Sequence, residues 1–131
     1  MNNRPVSRLT ETIAQLRAAD EMMPIQTAHL FFLIAERPAL TQKDLMDATG
    51  LSQPAVFRNT SLLGEGLNKR EGMKLVERIA DPTEGRRHIF FLTEKGRTLM
   101  KSILRLTETE ETIEKMTMPT AREFLNRGGR L

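Results

Sequence analysis

The sequence contains no cysteine. That absence excludes a disulfide framework, a cysteine nucleophile, thiolate zinc sites and thiol-based redox sensing together. Long apolar runs are missing as well. The longest, Leu30 to Ala35, has six residues, where a membrane-spanning helix needs roughly 18 or more. The opening Met1-Asn2-Asn3-Arg4-Pro5 carries no apolar h-region, so no secretory signal is expected and the expected compartment is the cytoplasm. No G-x-S-x-G, Walker or Rossmann pattern is present. The two histidines, His29 and His88, fall on different elements and outside any HExxH-type ligand spacing. Glu108, Glu110, Glu111 and Glu114 read as a solvated helix face. The expectation is therefore a protein that is not an enzyme, with no metal and no cofactor.

Charge of one sign is also in short supply. Lys and Arg number 20 against 17 Asp and Glu, a net charge of +3. Within residues 41–97 the excess is only +2. A pI near 9.7 is compatible with a polyanionic partner, but so mild an excess does not establish one.

What is present suits one soluble domain. The chain has 131 residues, 39% hydrophobic and 28% charged, a size that buries roughly two-thirds of its unfolded surface without staples. Val6, Leu9, Ile13 and Leu16 are spaced 3, 4 and 3, which predicts an amphipathic helix over 6–17. Two heptads are too few for an autonomous coiled coil, so the stripe must pack on something else. Pro24 opens a second helix. Ile25, Ala28, Phe32 and Ala35 repeat at helical spacing, while Leu30, Phe31, Leu33 and Ile34 fill much of the remaining circumference. A helix apolar nearly all round belongs at the centre of a bundle. Arg37-Pro38 stops it.

Thr41-Gln42-Lys43-Asp44 has the form of a capping box. The short helix behind it runs through Leu45, Met46 and Ala48 to Gly50, a residue suited to a left-handed terminus. After Leu51, Ser52 is a good N-cap for a helix over about 53–66. Val56, Thr60, Leu63 and Leu67 lie along one side of that helix. Pro54, Arg58, Ser61 and Glu65 lie opposite, with Phe57 flanking them. Helix, glycine turn and capped helix together have the form of a helix-turn-helix. Asn68 to Lys74 reads as a loop. Residues 75–80 and 88–92 are predicted strands, joined by a turn, Asp81-Pro82-Thr83-Glu84-Gly85-Arg86-Arg87, with proline and glycine punctuation. Thr93 caps a predicted long helix over 94–115, with Leu99, Ile103, Leu106 and Ile113 at heptad-like spacing and Glu110 interrupting. Thr120 to Glu123 is a second capping box, starting a short helix that Gly128-Gly129 ends. There is no internal repeat.

The order helix, helix, helix-turn-helix, β-hairpin, helix is that of a winged helix. Leu51-Ser52-Gln53-Pro54-Ala55-Val56-Phe57-Arg58 resembles the start of the recognition helix in the multiple-antibiotic-resistance-regulator (MarR) family. Leu75-Val76-Glu77-Arg78, then Asp81 to Arg87, then Leu92-Thr93-Glu94-Lys95-Gly96 resemble the wing and following helix of the same family. The likeness covers about residues 25–104. The extra residues between Gly66 and Leu75 resemble an insertion in small phage- or mobile-element-type relatives. Phe57 stands where the family often has a small or polar residue.

The resemblance implies a mostly α fold with a small β-hairpin wing. Residues 24–97 would form the DNA-binding winged-helix core, 1–23 and 98–127 the dimerisation helices, and 128–131 a tail. It implies a homodimeric, sequence-specific regulator of transcription that binds double-stranded DNA, with repression as the expected sign and a pseudo-palindromic operator. Many members release DNA on binding a small aromatic effector, although no residue here identifies one. The expected DNA-contacting residues are Ser52, Gln53, Pro54, Ala55, Phe57, Arg58 and Ser61 on the recognition helix, with Arg86 and Arg87 on the wing. Arginine reads guanine bidentately from such a helix, and an arginine at the wing is attracted by the negative minor groove. Phe57 has two readings, a core residue or an exposed contact to a thymine methyl. Asp81 or Glu84 is expected to brace an arginine or the turn. A winged-helix adaptor for protein–protein interaction in replication or assembly is the alternative function, kept open by the mild charge and by Phe57.

Overall fold

The computed structural model describes residues 3–131. Helix α1 spans Arg4–Ala19 and α2 spans Ile25–Glu36. Leu40–Thr41 is the short strand β1, followed by α3 (Gln42–Thr49) and α4 (Gln53–Leu63). A small hairpin, β2 (Gly66–Leu67) and β3 (Arg70–Glu71), precedes the larger one, β4 (Val76–Ala80) and β5 (His88–Leu92). Three helices close the chain: α5 (Glu94–Leu104), α6 (Glu110–Glu114) and α7 (Ala121–Asn126). β1, β5 and β4 form one antiparallel sheet in that order, with Leu40 opposite Phe90 and Arg78 opposite Phe90 from the other side. This is a winged helix. No described helix is long and apolar enough to cross a membrane.

The principal core gathers around α2. Leu30, Phe31 and Ile34 are buried there with Leu45 of α3, Val56 and Leu63 of α4, Phe90 and Leu92 of β5, and Met100 and Ile103 of α5. Each such side chain contributes on the order of 1.5–3 kcal/mol by leaving water. The helical stripe expected of α2 holds at Ala28 and Ala35, but Ile25 is exposed. Pro24 precedes the helix rather than lying in its first turn, and its carbonyl accepts from Thr27 and Ala28. In α1 only Leu16 is buried, while Val6, Leu9 and Ile13 face outward.

A second, smaller core lies on the other face of the hairpin. Ile89 and Phe91 of β5 pack there against Ala121 and Phe124 of α7, with Ile79 and Ala39 at the edge. The Phe91 and Phe124 rings are 4.8 Å apart between centroids. β5 is consequently apolar on both faces, one set of side chains entering each core. A capping box at Thr120–Glu123 starts α7. Arg97 of α5 anchors it, donating to Glu123 at 2.7 Å and to the Met118 carbonyl at 3.3 Å.

Three local expectations are corrected. The predicted long helix over 94–115 is broken after Leu104, and α6 begins only at Glu110. Thr107-Glu108-Thr109 supplies short oxygen-bearing side chains that compete for the backbone. Thr109 caps the new helix by accepting from the Thr112 N–H, and an Arg105–Glu110 ion pair spans the break. The predicted helix over 53–66 ends at Leu63, because Gly64 leaves the helical region at φ −101°, ψ −122°. Residues 68–74 are not a plain loop either. The β2–β3 hairpin is tied to the end of α4 by Met73 N–H to Leu62 O and Leu75 N–H to Leu63 O, at 2.9 and 2.7 Å. Gly72 lies so close to Gly64 that any Cβ there would overlap the Gly64 carbonyl. Arg70 of the hairpin pairs with Asp20 beyond α1 at 3.3 Å.

Candidate nucleic-acid interface

The helix-turn-helix is assembled from strong local signals. Thr41 accepts from the Asp44 N–H while the Asp44 carboxylate accepts from the Thr41 N–H, so α3 begins in a full capping box. Those bonds to Thr41 hold the Asp44 carboxyl below its ordinary range. Gly50 ends α3 at φ +74°, a conformation that costs glycine little. Ser52 then starts α4, its hydroxyl accepting from the Ala55 N–H at 3.3 Å. The Gln42 side chain reaches across the turn to the Gln53 carbonyl at 3.4 Å.

The inner face of α4 carries Val56, Asn59, Thr60 and Leu63, all buried. Asn59 is a polar anchor that the apolar spacing did not reveal. The Thr27 hydroxyl donates to its Oδ1 at 2.6 Å, and its own Nδ2 donates to the Ala55 carbonyl at 2.8 Å. A buried amide satisfied on both ends fixes the rotation of α4 against α2. Leu67, expected on the same side, belongs to β2 and is half-buried.

That rotation decides what faces outward. Ser52, Gln53, Pro54, Phe57 and Arg58 are exposed, and Ala55 and Ser61 are half-buried at the margins. Among the described residues, Arg58 has no hydrogen-bond or ion-pair partner, so its guanidinium keeps all its donors. Arg86 at the wing tip is likewise exposed and unpaired. Arg87 differs: its Nε donates to Asp81 at 2.8 Å. The Asp81 carboxylate also accepts the Thr83 N–H and hydroxyl, both at 2.9 Å. Thr83 first and Arg87 second bring the Asp81 carboxyl down to about 2, and Asp81 raises Arg87 in turn. Asp81 thus braces the wing turn through an arginine.

Arg78 of β4 is the residue sequence reasoning passed over. Its guanidinium lies over the Phe57 ring at 4.9 Å from the centroid. Strand alternation places Arg78 on the α4 side of the sheet with Val76, which was the available signal. Phe57 is neither core nor free: it is 39% exposed and has Arg78 over one side. Elsewhere, an apolar groove of about 570 Å³ is lined by Phe32, Ala35, Met100, Ile103, Met116 and Met118 among others.

Two helices joined by a glycine turn, followed by a β-hairpin, define the winged helix-turn-helix class. Comparisons with protein-family models and with curated proteins find no match, whereas solved structures of the same shape are found. The Staphylococcus aureus MepR–DNA complex superposes with a TM-score of 0.63 at 20% identity, covering 94% of this chain and 90% of that one. FabT of Streptococcus pneumoniae in complex with DNA gives 0.58 at 18% identity, covering 95% and 81%. A MarR transcriptional regulator from Methanosarcina mazei Go1 gives 0.58 at 15% identity, covering 88% and 76%. The chain has a MarR-like winged-helix fold.

Proposed function

We propose that this protein is a sequence-specific regulator of transcription that binds double-stranded DNA as a homodimer. The observation that carries the reading is the pairing of two unpartnered arginines, Arg58 outward on α4 and Arg86 at the wing tip. α4 enters the major groove with Ser52, Gln53, Pro54, Ala55, Phe57, Arg58 and Ser61 at or near the surface, and the turn 81–88 reaches the flanking minor groove. Arg87 contributes by holding the turn in shape and offers its remaining N–H groups to phosphate. Two of the structures that share the fold, MepR and FabT, are solved as DNA complexes.

Residues 24–97 form the DNA-binding core of this reading. The outward stripe Val6, Leu9 and Ile13 is the surface available to a second copy. In a two-fold dimer the half-sites would lie about one duplex turn apart, making the operator a pseudo-palindrome; in this reading the protein represses by occlusion, as the family resemblance implies, and works in the cytoplasm. The apolar groove beside α1 and α5 is the place for a small apolar effector.

Selection from random-sequence duplexes tests the proposal: enrichment of a two-fold motif is expected. Arg58→Ala should cost on the order of 1–3 kcal/mol and relax preference at one position. Arg86→Ala should weaken binding across sequences and flatten the salt slope by roughly one. Absence of binding at low salt would sink the proposal and favour a protein-binding adaptor. Sedimentation showing a monomer at micromolar concentration, with and without DNA, would refute the dimer.

A further inference from the structure

We propose that Arg78 binds a DNA backbone phosphate at the junction of α4 and the wing, and that Phe57 is the residue that positions it. This rests on the DNA-binding reading above. The two residues are 21 positions apart and meet because the fold brings the middle of β4 near α4, with the guanidinium 4.9 Å from the ring centroid. A guanidinium stacked on a ring uses its flat face, so the N–H donors around its edge stay available. Among the described residues none of those donors is taken by a hydrogen bond or an ion pair. The arrangement fixes a charge in place without consuming it.

Its location supplies the ligand. If α4 occupies a major groove and the wing an adjacent minor groove, one sugar-phosphate strand separates the two. That strand must cross the junction between α4 and β4, where Arg78 stands. The cleft there is lined by Thr60, Ser61, Glu65, Glu77 and Arg78. Neither Glu65 nor Glu77 pairs with Arg78, and strand alternation turns Glu77 to the opposite face of the sheet. Phe57, with one side covered, serves the arginine rather than a thymine methyl.

The test is titration of fluorescent duplexes, one selected and one scrambled, over a range of salt. Arg78→Ala should weaken both on the order of tenfold and lower the salt slope by about one. Arg78→Lys should recover part of the loss, since lysine keeps the charge but not the planar stack. Phe57→Leu removes the ring and should weaken both duplexes about threefold with base preference unchanged. Phe57→Tyr keeps an aromatic face under the guanidinium and should lose less affinity than Phe57→Leu does. Combining Arg78→Ala with Phe57→Leu should cost no more than Arg78→Ala alone. Parental affinity and slope in Arg78→Ala would overturn the inference while leaving the DNA reading intact. Altered base preference in Phe57→Leu, additive with Arg78→Ala, would overturn it in favour of direct reading by the ring. A parent that binds no duplex removes both. Both side chains are exposed, and unchanged melting temperatures of the variants confirm that folding is not the cause.

Discussion

Replacing Phe124 with alanine separates the second core from the first. Phe124 is 5% exposed and sits against Phe91 at 4.8 Å. Truncating a buried phenylalanine costs about 3–5 kcal/mol when the surroundings cannot collapse. Here they can, because α7 has only six residues and is held otherwise by Ala121 and the Arg97–Glu123 pair. Once the ring is gone, peeling α7 away limits the loss, so the low end, about 3 kcal/mol, applies. An unfolding entropy of ~2.1 cal/mol/K per residue gives about 0.28 kcal/mol/K for this chain, so the melting temperature should fall by about 10 °C. Differential scanning calorimetry measures that shift. Hydrogen exchange locates it: amides of α7 should lose protection to the level of free chain while those of α2 and α4 keep theirs in the native state. A fall below about 3 °C with α7 still protected would show that the packing of α7 on the hairpin contributes little, and the reasoning would fail.

Thr27→Val leaves the buried Asn59 oxygen without its donor and should cost about 1–3 kcal/mol by thermal melting, with Thr27→Val/Asn59→Leu losing less than the sum of its parts. The Asp81 carboxyl lies below its ordinary value of 3.8, at about 2; a depressed acid stabilises the fold fully above the ordinary value and loses that contribution as pH falls through the depressed one. Asp81→Asn should therefore melt lower than the parent at pH 7, with the gap narrowing below about pH 4 and vanishing only below about pH 2, and an unchanged gap between the two curves would refute the brace. Gly72→Ala forces a methyl into the Gly64 carbonyl and should destabilise by about 1–3 kcal/mol or more in urea; equal midpoints would show that the β2–β3 hairpin is looser than its hydrogen bonds imply.

Most of the winged helix was legible because its punctuation is local. Thr41, Gly50, Ser52, Thr93 and Thr120 each declare a helix end through their own side chain or backbone freedom, and each stands where expected. Errors arose where one local signal outweighed another, or where the signal was tertiary. The heptad spacing through Leu106 and Ile113 suggested one helix, yet the Thr-Glu-Thr segment prefers to cap a new one. β1 is two residues long and exists only because β5 is beside it. The outward position of Arg58 was readable from helical periodicity alone, since Val56 and Leu63 fix the opposite face. Arg87 was visible only as one of two arginines, because its commitment to Asp81 depends on how the turn closes. For Arg78 strand alternation gave only the side of the sheet, since nothing near it in the chain reveals that α4 supplies a ring beneath it.

The two buried faces of β5 have a consequence for how the hairpin finds its alignment. In a strand with one wet face, a slip of one residue would drive apolar side chains into water, and that error is self-punishing. His-Ile-Phe-Phe-Leu has no such safeguard: after a slip, Phe90 and Phe91 would exchange compartments and both would still be dry. The alignment must therefore be pinned from outside the strand. At one end the Thr93 hydroxyl donates to the Lys74 carbonyl at 2.6 Å and its N–H to Leu75 at 3.0 Å. Gly96 packs so closely over the Leu75 carbonyl that no side chain fits between them. At the other end the Asp81 N–H donates to Arg87 at 3.0 Å, closing the turn. The hairpin resembles a ruler clamped at both tips, and its reach toward a partner is set by those clamps rather than by the apolar residues that fill its middle.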